Sequence, residues 1–154
     1  MYKKVLVPLD GSDLAQCAVN EVRNVVGEGS QVILLRVMEV ISSLVLQAGL
    51  EAESPNTDLA KMERKNADSA RRNLERIAAK LKKKDIEAKT AIVWGRPADM
   101  INDYASKNKV DLIVISTHGR SGISRWAFGS VADRVLRSAT VPVLVVTPKG
   151  CHLS

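Results

Sequence analysis

Aromatic residues are scarce. Phe, Trp and Tyr make up only 3% of the chain, so the core must come from Val, Ile, Leu and Ala. Few flat faces remain on which single-stranded nucleic acid could stack, and nucleic acid is not an expected partner. Cysteine is scarce as well. Cys17 and Cys151 stand far apart without metal-ligand spacing, and they read as free thiols of a cytoplasmic protein. No apolar run reaches the roughly 18–20 residues of a membrane-spanning helix, so no membrane partner is expected. Tyr2-Lys3-Lys4 leads straight into a strand pattern and not into a secretory leader. What the chain does have is an ordinary globular balance: 154 residues, 45% apolar and 26% charged. That suits one domain, expected over residues 1–148, with 149–154 as a C-terminal tail. The net charge of +6 favours anionic partners without distinguishing nucleotides, nucleic acid and acidic surfaces.

Taken in order, apolar runs alternate with amphipathic ones. Lys3 to Leu9 is a short apolar run that ends at Asp10-Gly11-Ser12, a buried parallel strand followed by a turn. Pro8 should stop its ladder, and Ser12 suits the N-cap of the next helix. Leu14, Cys17, Ala18, Val22, Val25 and Val26 have helical spacing, and Gly27 and Gly29 should end that helix. Gln31 to Val37 is a second strand. The apolar segment 38–54 has no clear period and is long for a connection, as a lid or a partner surface would be. A long helix should start at Ser54-Pro55 or Thr57-Asp58, with Leu59, Met62, Asn66, Ala70, Leu74, Ile77 and Leu81 on one stripe. Its opposite face is basic, but Glu63, Asp68 and Glu75 are interleaved, which describes a solvated outer face.

Ile86 to Trp94 alternates and should lie near a sheet edge. Pro97 opens a helix with Ala98, Ile101, Tyr104 and Ala105 inward. Leu112 to Ile115 forms a fourth strand, a helix runs from Ser130 to about Ser138, and Val141 to Val146 closes the chain. The order β-α-β-α-β-α-β-α-β implies an α/β fold, a doubly wound parallel sheet with helices on both faces. Ligands of such sheets bind beyond the carboxyl ends of the strands, where the strand order reverses. The first and fourth strand ends carry small and polar residues, so the site is expected between them.

After the fourth strand comes Ser116-Thr117-His118-Gly119-Arg120-Ser121-Gly122, and Gly129-Ser130 starts the next helix with Val131, Val135 and Leu136 in helical spacing. This is neither a Walker A loop nor a Gly-x-Gly-x-x-Gly fingerprint. Hydroxyls at Ser116, Thr117 and Ser121, flexible backbone at Gly119 and Gly122, and the Arg120 cation could still hold a phosphate chain. The helix start adds backbone N–H groups and its partial positive charge. The bland alternative is a plain strand-to-helix loop ahead of a capped helix.

Ser116-x-x-Gly119, nine further residues and Gly129-Ser130 resemble the signature Gly-x2-Gly-x9-Gly-Ser/Thr of the universal stress protein family. The opening Val5-Leu6-Val7-Pro8-Leu9-Asp10-Gly11-Ser12, the strand Val32 to Val37 and the closing Val141-Pro142-Val143-Leu144-Val145-Val146 are similar to that family too. The resemblance implies a five-stranded sheet in the order 3-2-1-4-5, in the branch that binds adenine nucleotides, ATP or AMP. It implies that Pro8, Leu9 and Asp10 line the adenosine side, with Asp10 near the ribose. Val37 would meet the adenine. Ile115, Ser116, Gly119, Arg120 and Gly122 would follow the loop, and Gly129, Ser130 and Val131 would take the phosphates. Mg²⁺ or Mn²⁺ could accompany the nucleotide, with Asp10 as the candidate metal contact. A homodimer through Val143 to Val146 is also implied, and a long apolar edge is a pairing template on physical grounds. Ser116 departs from the signature. A backbone with φ > 0 there would strain serine, whereas a need for small size alone would not.

No nucleophile–base pair is evident, and a lone His118 before glycine reads as a loop residue. The expected function is therefore nucleotide-dependent regulation in a stress response, with at most slow ATP hydrolysis. The alternatives are an adenylyl-transfer or ATP-pyrophosphatase enzyme on a related fold, or an interaction module that binds no nucleotide. Against the enzyme, neither Ser-Gly-Gly-x-Asp-Ser nor His-x-Gly-His follows the first strand.

Overall fold

Five aliphatic segments pair into one parallel sheet. The computed structural model describes residues 1–39, 58–117 and 129–147. The strands are β1 (Tyr2–Pro8), β2 (Val26–Met38), β3 (Glu87–Trp94), β4 (Leu112–Ser116) and β5 (Val143–Val146). The helices between them are α1 (Ala15–Val25), α2 (Asp58–Lys82), α3 (Pro97–Lys107) and α4 (Ser130–Ser138). The sheet order is β3-β2-β1-β4-β5, as expected, with every neighbouring pair parallel. The order reverses beside β1, which pairs with β2 on one side and β4 on the other.

Strand geometry sends successive side chains to opposite faces, and both faces are covered. Val5 and Val7 of β1, Val32 and Leu34 of β2, and Leu112 and Val114 of β4 pack with Cys17 and Val22 of α1 and Leu74 and Ile77 of α2. Leu6, Ile33, Leu35, Ile113 and Ile115 point the other way, against Ala98, Ile101 and Ala105 of α3 and Ala132 and Val135 of α4. Burial on both faces is why these strands read as continuous apolar runs. The edge strand β3 is half covered: Glu87, Lys89, Thr90 and Trp94 are exposed and Ala88, Ala91, Ile92 and Val93 partly buried, in keeping with the edge position expected of it.

Several expectations need correction. Gly27 and Gly29 do not stop at the end of α1 but lie within β2, which begins at Val26. The register breaks between Tyr2↔Val26 and Lys4↔Gln31. Ser30 Oγ fills this irregular piece, accepting from Gly27 N–H at 3.0 Å and donating to the Tyr2 carbonyl at 2.7 Å. Ser12 does cap the turn that leads into α1, its Oγ accepting from Ala15 N–H at 3.3 Å, while the regular helix begins only at Ala15. Leu136 is exposed, because it sits about 100° around the helix from the buried Val135. Cys17 is disulfide-bonded, against the expectation of a free thiol. It is 1% exposed and packs in the same cluster as Val146 of β5, so the fold brings α1 beside the end of β5 despite their separation in sequence. Cys151, the only other cysteine of the sequence, lies outside the described residues.

Candidate functional site

The carboxyl ends of β1 and β4 open into a cleft of about 580 Å³, a size common for small-molecule sites. From β1 and its turn come Pro8, Leu9 and Asp10; from β2, Val37; from β4, Ile115 and Ser116; from the start of α4, Gly129, Ser130 and Val131. The structure thus brings together nine residues named from the sequence. Gly119, Arg120 and Gly122 lie outside the described residues, as do His118 and Ser121. Thr117 does not line the cleft. It is buried and its N–H donates to the Val146 carbonyl at 3.0 Å, so its place is beside β5.

The cleft has two chemical ends. Leu35 and Val37 of β2 and Pro97 and Ile101 of α3 give it aliphatic lining suited to the faces of a planar base. The start of α4 is polar. The first amide of the helix to find an intrahelical acceptor is Asp133 N–H, which donates to the Gly129 carbonyl at 2.9 Å. The N–H groups of Ser130, Val131 and Ala132 therefore have no intrahelical acceptor, as at every helix start. Gly129 is the N-cap, with φ −55° and ψ 150°, and among the described residues no side chain caps this end. Uncapped amides at a helix N-terminus form a ready anion site.

Asp10 is exposed at the rim. Its Oδ1 accepts from Ser12 N–H at 2.9 Å and from Ser12 Oγ at 2.5 Å, which closes the turn after β1. Arg36 braces this turn, its Nη1 donating to the Leu9 carbonyl at 3.4 Å. Burial pulls the Arg36 pKa below the ordinary arginine value, and the nearby Asp10 charge opposes that shift. Gly11 has φ +86° and its missing Cβ would stand 2.7 Å from Arg36 Nη1. Conformation and space both call for glycine there.

Ser116 ends β4 in register with Val146. Among the described residues, positive φ outside glycine occurs only at Asp85 and Lys109. Serine at the first signature position is therefore unstrained. Ala15, Leu35, Pro97, Ile101 and Ala132 also line the cleft and were not anticipated. Among the described residues no three His, Cys, Asp or Glu side chains gather as a metal cluster, and no helix there is long and apolar enough to cross a membrane.

A parallel sheet with a cleft at its reversal point defines a doubly wound α/β protein, a class of fold whose ligands bind beyond the carboxyl ends of the strands. The sequence model of the universal stress protein family matches residues 1–147, and the chain belongs to that family. Among its relatives is universal stress protein MJ0531 of Methanocaldococcus jannaschii, 34% identical over 95% of this chain and 82% of that one. Universal stress protein MJ0577 of the same organism is 30% identical over 97% and 98%. The solved structure of MJ0577 superposes with a TM-score of 0.76, covering 96% of each chain at 28% identity. A universal stress protein crystallised in complex with cAMP gives 0.66, covering 99% of each at 26% identity.

Proposed function

We propose that this protein binds an adenine nucleotide, ATP or AMP, in the cleft between β1 and β4, and that occupancy regulates a stress-response homodimer. The observation that carries the reading is the meeting of an aliphatic lining with the helix-start amides of α4 in one cleft. The adenine base lies against Leu35, Val37, Pro97 and Ile101. The ribose sits by Pro8, Leu9 and Asp10, and the phosphates meet Ser116, Gly129, Ser130 and Val131, with Gly119, Arg120 and Gly122 completing the phosphate side. The related protein solved with cAMP supports the choice of an adenine nucleotide.

A Mg²⁺ or Mn²⁺ ion would be held by Asp10 together with phosphate oxygens, since Mg²⁺ commonly takes one or two carboxylates plus substrate phosphates. Hydrolysis is at most slow, because the sequence offers no evident nucleophile–base pair. The dimer forms through β5, an edge strand whose Val143, Leu144 and Val145 remain partly exposed. A cytoplasmic location fits a ligand that is abundant there.

The test is to denature the purified protein, identify released nucleotide by chromatography, and titrate the emptied protein with ATP and Mg²⁺ by calorimetry. Gly129→Val, which puts a branched side chain where the ligand approaches α4, should abolish binding while leaving the circular dichroism spectrum unchanged. Unchanged affinity in that variant would move the phosphate site elsewhere.

A further inference from the structure

Away from the nucleotide cleft, a second groove of about 330 Å³ runs between α1 and α2. Three cations line it: Arg23 from α1, Lys80 from the last turn of α2, and Lys84 just beyond that helix. Among the described residues Asp13 is the one carboxylate in its lining. Arg23, Lys80 and Lys84 make no ion pair among the described residues. Exposed cations elsewhere do find partners, as Arg71 finds Asp68, Lys107 finds Asp103 and Arg137 finds Asp133. Lys80 and Lys84 stand on one side of the groove, and Arg23 adds a third cation from the facing helix.

The groove is more than charge. Val19, Ile77 and Leu81 give it an aliphatic floor. The side-chain amides of Gln16 and Asn20 line it as well and make no hydrogen bond among the described residues. We propose that this groove docks an acidic peptide segment of a partner protein. Carboxylates of the peptide meet Arg23, Lys80 and Lys84, an aliphatic side chain rests on the floor, and the peptide main chain bonds to Gln16, Asn20 and Asp13. Charge complementarity selects an acidic occupant. The aliphatic floor favours a peptide over a simple oxyanion, which would leave it unused. Among the described residues no aromatic ring lines the groove, so nucleic acid bases find nothing there to stack on. The cations are exposed, so binding weakens as salt is raised.

The probe is a fluorescein-labelled peptide, Glu-Glu-Leu-Glu-Asp-Leu-Glu, followed by fluorescence anisotropy with the full chain at low salt. The triple variant Arg23→Glu, Lys80→Glu, Lys84→Glu should bind it at least tenfold more weakly. A control with the same change of net charge, Lys61→Glu, Lys65→Glu, Arg72→Glu, alters exposed cations earlier on α2 and should stay within about twofold of the parent. Replacing both leucines of the peptide by serine should weaken binding several-fold. In the unmutated protein the peptide should shift the methyl resonances of Val19, Ile77 and Leu81, a reading that does not depend on any variant folding. The proposal is overturned if the parent does not bind, if both triple variants lose binding equally, or if the methyl shifts fall on α3 or α4. Displacement of the peptide by tripolyphosphate or polyuridylate at lower concentrations than by unlabelled peptide would overturn it too, in favour of an oxyanion or RNA site. None of these outcomes depends on whether the other cleft binds a nucleotide.

Discussion

Gly11→Ala tests the turn that holds Asp10 at the rim of the cleft. Gly11 has φ +86°, and a Cβ there would lie 2.7 Å from Arg36 Nη1 and 3.4 Å from its Cζ. The left-handed backbone costs an L-residue about 1–2 kcal/mol. The Arg36 guanidinium, at the end of a flexible side chain, would swing aside and give up its 3.4 Å bond to the Leu9 carbonyl. At that length the bond is at the weak end of its class, about 0.5–1 kcal/mol. Alanine also stiffens the unfolded chain, which returns about 0.4–1 kcal/mol. The net expectation is a loss of about 1–2 kcal/mol. For a domain of this size each kcal/mol moves Tm by about 2–4 °C, so thermal unfolding should shift downward by a few degrees. A double-mutant cycle isolates the contact. In an Arg36→Ala background the guanidinium is absent, and Gly11→Ala should then cost about 0.5–1 kcal/mol less, measured by urea unfolding. Equal losses in the two backgrounds would refute the contact with Arg36. No loss in either would refute the left-handed turn itself.

Other substitutions probe the rest of the argument. Leu34→Ala, at a residue with 0% exposure in the layer under α1 and α2, should cost about 2–5 kcal/mol in denaturant unfolding. Ser116→Gly would restore the signature glycine but place it in a paired strand, so it should lower stability by about 0.5–1 kcal/mol and leave nucleotide affinity little changed; a gain in stability would show that the position favours glycine after all. Val145→Lys puts a charge in the middle of β5 and should yield monomers by light scattering; a persistent dimer would place the interface elsewhere.

Most of the fold was legible because its strands carry unmixed aliphatic runs and its helices carry clear stripes, so alternation alone named a doubly wound sheet. The cleft was half legible. Pro8, Asp10, Ser116, Gly129 and Ser130 stand out as breaks in apolar runs at strand and helix ends, where polar chemistry has a local signature. Pro97 and Ile101 were missed, since to the eye they belong to an ordinary helix start. A signal existed: the right-handed crossover from the edge strand β3 to β4 carries α3 back across the sheet, and a helix that follows a strand must begin at the carboxyl ends. Leu35 was hidden inside a strand that is apolar on both faces. The irregular start of β2 depends on contacts between segments remote in sequence, Ser30 with the Tyr2 carbonyl, and no local pattern encodes it.

The two sheet edges differ in a way that bears on how far assembly can proceed. β5 is short and apolar, four residues of Val and Leu. β3 carries Glu87 and Lys89 outward and ends on the exposed Trp94. If two copies join through β5 about a two-fold axis, both apolar edges are consumed and the borders that remain are charged ones, which resist further strand addition. Growth then terminates at a pair. Head-to-tail stacking of β5 on β3, the route to an open filament, would have to lay an aliphatic strand along that charged border.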